Sequence, residues 1–170
     1  MLMIKFIASG FYSGYLPKAP GTWGTIVAIP LCLLLLPYGL KTLWIATLVC
    51  FLIGWYCSHV LTLDPTADPD PSYIVIDEIA GLMLTLVFSL FLLKIEPAVL
   101  LSTSVFSLKI WVSVFIAFRI FDICKPFPIY KIDEYLASTT AWRGFGVMID
   151  DILAAIPAAA LVWGLLTFIF

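Results

Sequence analysis

Residues 77–93 read DEIAGLMLTLVFSLFLL: two adjacent carboxylates, then fifteen residues without a charge. A run this apolar, with no polar alternation, suits a helix enclosed by hydrocarbon or protein on all sides rather than a half-wet strand. Four more runs are free of Asp, Glu, Lys and Arg or nearly so: 19–40, 42–63, 97–118 (interrupted only by Lys109) and 152–170. A crossing of a ~30 Å hydrocarbon core takes about 20 residues. The pattern therefore predicts an all-α, polytopic membrane bundle of about five apolar helices. Pro20-Gly21 should break the first run, placing its helix start at Thr22 or Thr25 and ending a short span near Leu36. If that segment only dips into the bilayer, four helices span, and its backbone must be buried in protein.

The whole chain supports this reading. It has 170 residues, 63% hydrophobic and 12% charged, with a mean hydropathy of +1.12, which excludes an ordinary water-soluble domain. With about 20 residues per crossing, residues 1–170 make a single integral-membrane domain. A net charge of -2 with dispersed basic residues leaves no footprint for nucleic acid. Cys32, Cys50, Cys57 and Cys124 lie in or beside apolar runs without C-x-x-C spacing, so buried thiols are expected rather than a zinc site or disulfide framework. Residues 1–10 are too poor in apolar residues for a cleaved secretory leader, so the chain is expected to be mature from Met1.

Cytoplasmic ends of membrane helices collect Lys and Arg. With five crossings, Lys5, Lys18, Arg119, Lys125, Lys131 and Arg143 fall on one side and Lys41 and Lys94 on the other, which puts the N-terminus in the cytoplasm. Ten of the eleven acids fall on that same side, with only Glu96 opposite. Between Lys125 and Arg143 the chain is polar, and Ile129, Ile132 and Leu136 at helical spacing predict an interfacial helix. No repeat of fixed period relates the two halves, unlike many transporters.

Three acidic stretches converge on the predicted cytoplasmic face. In ADPDPSYIVIDEIAG, Asp70 before Pro71 reads as an N-cap with proline at the first helical position. That start would set Asp77 and Glu78 two turns inside the helix, about 9 to 10 Å along its axis. Carboxylates entering hydrocarbon are costly and mark function, usually with a cation or metal as partner. In FRIFDICKPFPIY, Arg119, Asp122 and Lys125 recur every three residues on one helix face, the spacing of a salt-bridge ladder. In RGFGVMIDDILAA, Gly144 and Gly146 allow close backbone approach, and Asp150-Asp151 are expected to open the last apolar helix, where acids complement its dipole. Hard oxygen ligands without accompanying His or Cys favour Mg2+ over zinc or copper. A fourth stretch, SGFYSGYLPKAPGTWGT, sets Gly10, Gly14, Gly21 and Gly24 before the first span, where backbone N–H groups could meet phosphate. His59 lies in an apolar run, where packing is its expected role, so a Ser-His-Asp scheme lacks support. No Cys lies five residues before an Arg and no D-x-D-x-T stretch occurs, which removes the thiol-phosphatase and common aspartyl-phosphatase patterns.

In order and spacing, SGFYSGYLPKAPGTWGT, DPSYIVIDEIAG, FRIFDICKPFPI and GFGVMIDDILA resemble the phosphatidylglycerophosphatase A family over most of the chain. The resemblance implies a Mg2+-dependent phosphatase of the bacterial inner membrane that converts phosphatidylglycerophosphate to phosphatidylglycerol, with its site on the cytoplasmic face. The matching positions are Gly21, Thr22, Gly24, Asp70, Asp77, Glu78, Gly81, Arg119, Asp122, Lys125, Pro126, Gly144, Gly146, Asp150 and Asp151. The loop TLDPTADPDPS carries extra Asp and Pro residues, and Asp70 is assigned the loop-aspartate role because it directly precedes Pro71-Ser72. On this reading Asp77, Glu78, Asp150 and Asp151 hold Mg2+, with Asp122 as a further catalytic candidate. Arg119 and Lys125 meet the phosphoryl group, assisted by Thr22, Gly24 and Asp70, while the lipid tails lie between helices. Two alternatives stand beside it: a CDP-alcohol phosphotransferase, whose aspartates would be four apart where Asp150 and Asp151 are adjacent, and an ion-coupled transporter. The oligomeric state is left open.

Overall fold

The computed structural model describes residues 1–64, 66 and 68–168; residues 169 and 170, the end of the predicted last span, lie outside these. Among the described residues there are seven α-helices and no strand: α1 (Leu2–Ala8), α2 (Pro20–Leu35), α3 (Leu40–Thr62), α4 (Ile76–Leu93), α5 (Val105–Cys124), α6 (Ile129–Ser138) and α7 (Arg143–Phe168). Four segments among the described residues are long and apolar enough to cross a membrane: Pro20–Tyr38, Leu40–Thr62, Ile76–Leu93 and Thr140–Phe168. The fifth predicted run is not one helix. Pro97–Leu101 forms a 3-10 turn, and α5 then starts afresh at Ser104, whose Oγ accepts from the Ser107 backbone N–H. At about 30 Å, α5 matches the bilayer in length, and it carries Lys109, Arg119 and Asp122.

The middle of the bundle is the α4–α7 pair, with α3, α2 and α5 packed around it. Within its most apolar window α4 is 72% buried, against 28% for α3, so the run that decided the fold is the central helix, with protein on nearly every side. Leu82, Leu86 and Leu90 of α4 are buried with Ile110, Val114 and Phe118 of α5 and Ala158 and Val162 of α7. α6 is the predicted amphipathic segment and lies against α7.

Helix starts depart from the sequence expectations in three places, and each departure shapes the site. α2 begins at Pro20, with Ala19 in the left-handed region (φ 50°) as its cap; Thr25, no cap, turns its hydroxyl back onto the Gly21 carbonyl at 2.8 Å. Asp70-Pro71 does not start a helix. Residues 71–75 are held outside the helix: the Ile74 N–H closes a turn on the Pro71 carbonyl at 2.9 Å, the Val75 N–H donates to the Ala8 carbonyl, and the bare face of Gly14 lies against the Tyr73 carbonyl, so α4 starts only at Ile76. Asp77 and Glu78 therefore sit in its first turn. Conversely α7 begins at Arg143, nine residues before its apolar run, which places Asp150 and Asp151 two turns inside the helix rather than at its opening. Gly144 is what lets α7 start so early. It lies directly on the His59 backbone of α3, and a Cβ there would overlap main-chain atoms that cannot rotate away. Gly144→Ala is expected to destabilise the protein by about 1–3 kcal/mol through overpacking, seen as a lowered melting temperature in detergent.

Cys32 and Cys57 are buried and Cys50 half-buried, but Cys124 at the end of α5 is exposed, contrary to the expectation of four buried thiols. It ends a helix that turns outward at Lys125.

Candidate active site

Four helix ends meet at one cavity of about 160 Å³: the start of α2 (Pro20, Gly21), the loop into α4 and its first turn (Asp70, Ser72, Asp77, Glu78), the end of α5 (Asp122, Lys125) and the second turn of α7 (Asp150, Asp151). The predicted clustering of acids on one side of the bundle is thus realised as one pocket.

Asp77, Glu78 and Asp151 form its core, with one carboxylate oxygen from each lying within 4.8 Å of the others. Asp77 and Asp151 are 8% and 2% exposed, so water screens them poorly. At an effective dielectric of about 20, two such charges repel by on the order of 3 kcal/mol per pair. Asp77 Oδ1, Glu78 Oε2 and Asp151 Oδ2 are all buried without a hydrogen-bond partner. Orphaned carboxylate oxygens converging from two helices are costly for a protein alone and fit a hard divalent cation. A donor set of oxygens, without thiol or imidazole, suits hard cations such as Mg2+, Ca2+ or Mn2+ better than zinc.

Two cations border the cluster in different ways. Lys125 reaches into the cavity from the left-handed C-cap of α5 (φ 35°), its Nζ 2.5 Å from Asp150 Oδ2. Arg119 stands behind the cavity wall. Its Nη1 lies 2.5 Å from Asp122 Oδ2 and 4.0 Å from Glu78 Oε1, and donates to Thr25 Oγ1 at 3.4 Å. One guanidinium thereby ties α2, α4 and α5 together at the level of the carboxylates. Gly21 makes room for this junction, because a Cβ would land on Glu78 Oε1 and 3.0 Å from Arg119 Nη1.

Of the residues selected from sequence, Asp70, Asp77, Glu78, Asp122, Lys125, Asp150 and Asp151 line the cavity. Asp150 sits on Lys125, whereas the close oxygen cluster is formed by Asp77, Glu78 and Asp151. Arg119, Thr22 and Gly24 are not part of the lining; Gly24 instead admits Val75, whose Cβ is 2.6 Å from where its own would lie. In the acidic loop, Asp64 caps Thr66, accepting from its hydroxyl at 2.7 Å and its N–H at 2.8 Å, which holds the Asp64 carboxyl below its ordinary range. Asp68 accepts from the Asp70 N–H at 3.1 Å, and Asp70 faces the cavity. Sequence reasoning passed over Ser72 and Pro20 as site residues, and singled out Gly21 for its backbone N–H and as a matching position rather than as part of a cavity wall; a hydroxyl beside Pro71 and a proline before a glycine carry no signal of a site until the fold brings them together. His59 lies apart, in a separate cavity of about 360 Å³ with Trp55, Tyr56 and Trp142.

Fold and site together define a polytopic membrane enzyme with a pocket of carboxylates and one lysine at one end of its helical bundle. The chain belongs to the phosphatidylglycerophosphatase A family, whose model matches residues 6–166, and with it to the phosphoric monoester hydrolases. It is 38% identical over 163 residues to phosphatidylglycerophosphatase A of Haemophilus influenzae, covering 95% of this chain and 88% of that protein. With phosphatidylglycerophosphatase A of Escherichia coli it shares 34% identity over 160 residues, 92% of this chain and 80% of the other. A Bacteroides thetaiotaomicron protein, whose name proposes a phosphatidylinositol-3-phosphatase, is 30% identical over 165 residues, 92% of this chain and 89% of its own. No solved structure matches the chain.

Proposed function

We propose that the protein hydrolyses the terminal phosphomonoester of phosphatidylglycerophosphate to give phosphatidylglycerol and phosphate, in a Mg2+-dependent reaction at the cytoplasmic face of a bacterial inner membrane. The observation that carries this reading is the convergence of Asp77, Glu78 and Asp151, with orphaned oxygens, beside Lys125 at one end of a membrane bundle. Family membership favours hydrolysis over the phosphotransferase and transport alternatives.

Asp77, Glu78 and Asp151 would hold Mg2+, with Asp150 beside them. When bound, the ion supplies Lewis-acid polarisation of the phosphoryl oxygens and acidifies a water. The chain's own residues do the rest. Lys125 Nζ, drawn partly away from Asp150, offsets the charge of the incoming phosphoryl group. Arg119 keeps Glu78 and Asp122 in place. Asp77 takes the proton of the attacking water as the water oxygen bonds to phosphorus; the bond from phosphorus to the glycerol oxygen breaks, and that oxygen leaves as the alcohol with the proton that Asp77 gives back. Phosphoryl transfer depends mainly on positioning and charge, so a site with neither histidine nor cysteine suffices.

The test is phosphate release by the detergent-solubilised protein from phosphatidylglycerophosphate, with Mg2+ and then excess EDTA. Arms with soluble glycerol 3-phosphate and with phosphatidylinositol 3-phosphate address substrate choice. Release from the first lipid that stops with EDTA and returns with Mg2+ is expected. Preference for the inositol lipid, the activity named for the Bacteroides relative, would move the substrate to that headgroup. No release from either lipid by a folded sample would overturn the reading.

A further inference from the structure

We infer that the apolar groove between α3, α4 and α7 holds one acyl chain of the lipid substrate. This rests on the lipid-phosphatase reading above and carries it from headgroup to tail. The groove encloses about 600 Å³, and its walls include Trp44, Leu48 and Phe51 of α3, Leu84 of α4, and Phe145 and Ile152 of α7. The one hydroxyl in the lining, on Thr47, donates to the Leu43 carbonyl at 2.8 Å within its own helix, and the rest of the lining is aliphatic or aromatic. Ile45 and Leu48, on the open side, are 54% and 58% exposed, which lets a chain enter sideways from the bilayer.

The depth of the groove picks the occupant. Its upper end is framed by Phe51 and Phe145, edge to face with ring centres 6.1 Å apart, near the start of α7. Its lower end is Trp44, which meets Phe88 of α4 edge-on at 5.0 Å. From Asp77 to Phe88 the helix rises eleven residues, about 16 Å. Half of a ~30 Å hydrocarbon core is about 15 Å. The lower end of the groove, at Trp44 beside Phe88, thus lies about one leaflet's thickness along α4 from Asp77, a reach that suits a single acyl chain. It also shares both of its inner helices with the site. Leu84 follows Asp77 by seven residues and so lies on the same face of α4, two turns deeper, and Ile152 is the residue after Asp151 on α7. A lipid whose phosphate lies among Asp77, Asp151 and Lys125 would reach this groove along α4 and α7, the two helices that contribute to both cavities.

The experiment uses the full chain in phosphatidylcholine nanodiscs, with phosphatidylglycerophosphate carrying a photoactivatable diazirine in one acyl chain. Cross-links are expected in peptides covering residues 44–51 and 145–152, reduced by excess unlabelled phosphatidylglycerophosphate but not by excess phosphatidylcholine. In parallel, Leu48→Trp fills the groove from an exposed position outside the catalytic machinery. It is expected to raise KM about tenfold for the dipalmitoyl substrate, the equivalent of roughly two lost methylene contacts, and to leave the dihexanoyl substrate unchanged. Cross-links elsewhere on the perimeter, cross-links that phosphatidylcholine displaces equally, or equal kinetics of Leu48→Trp on both chain lengths would each overturn the inference. Failure of the wild-type protein to hydrolyse either chain length would instead sink the substrate reading, and that arm is scored separately from the cross-links.

Discussion

Asp151→Asn is expected to lower phosphate release by at least about 10²–10³-fold while leaving the metal-free protein as stable as the wild type or more so. The two effects have one cause. Asp151 is 2% exposed, its Oδ2 has no hydrogen-bond partner, and its neighbours within 4.8 Å are two more carboxylates. Removing one charge relieves repulsion on the order of 3 kcal/mol per pair, and the protein loses no ion pair in exchange. A residue that mattered only for folding would show the reverse, activity falling along with melting temperature. Titration with Mg2+ separates the cases further: a cation that binds only the folded state raises the wild-type melting temperature, and this rise should vanish in Asp151→Asn. Asp77→Asn should behave alike. Full activity in either variant would remove that carboxylate from the site.

Gly21→Ala is expected to cost about 10²-fold in turnover, although it adds one methyl group to a residue with no side-chain chemistry. The new Cβ would occupy the place of Glu78 Oε1 and crowd Arg119 Nη1, so Glu78 must rotate out of the cluster and the guanidinium loses its place between Asp122 and Thr25. Displacements near 1 Å at a site that works by positioning have effects of that size. Gly164→Ala is the matched control, because nothing lies within 4 Å of a Cβ at that position of α7. It should retain full activity and gain stability from better helix propensity, up to about 1 kcal/mol. Equal activity of the two alanine variants, measured as phosphate release per folded protein, would show that Gly21 does not shape the site.

The apolar runs located the helices because lipid and core both demand continuous hydrophobicity, and the bias of Lys, Arg and acids to one side anticipated that the helix ends would meet. What failed were the helix boundaries. Asp70-Pro71 carries a sound local start signal, yet tertiary contacts from Ala8 and Gly14 hold residues 71–75 in a turn outside the helix. At α7 the expected opening was Asp150-Asp151, but packing of Gly144 on His59 carries the helix back to Arg143. The same physics explains Arg119. Its spacing with Asp122 and Lys125 placed all three on one face, and only the junction of α2, α4 and α5 shows that Lys125 enters the cavity while Arg119 braces it.

The cavity is assembled from residues as far apart as Pro20 and Asp151. During synthesis α4 enters the bilayer with Asp77 and Glu78 on it before Arg119, Lys125 or α7 exists. The nascent chain thus passes through a stage in which its central helix carries bare charges beside lipid, and only the last helix completes their surroundings. A chain truncated after α5 would have Arg119 beside Glu78 but would leave Asp77 without the helix that encloses it. Surveillance machinery that recognises polar groups inside the bilayer could then distinguish unfinished copies from finished ones by the very carboxylates that the finished enzyme uses.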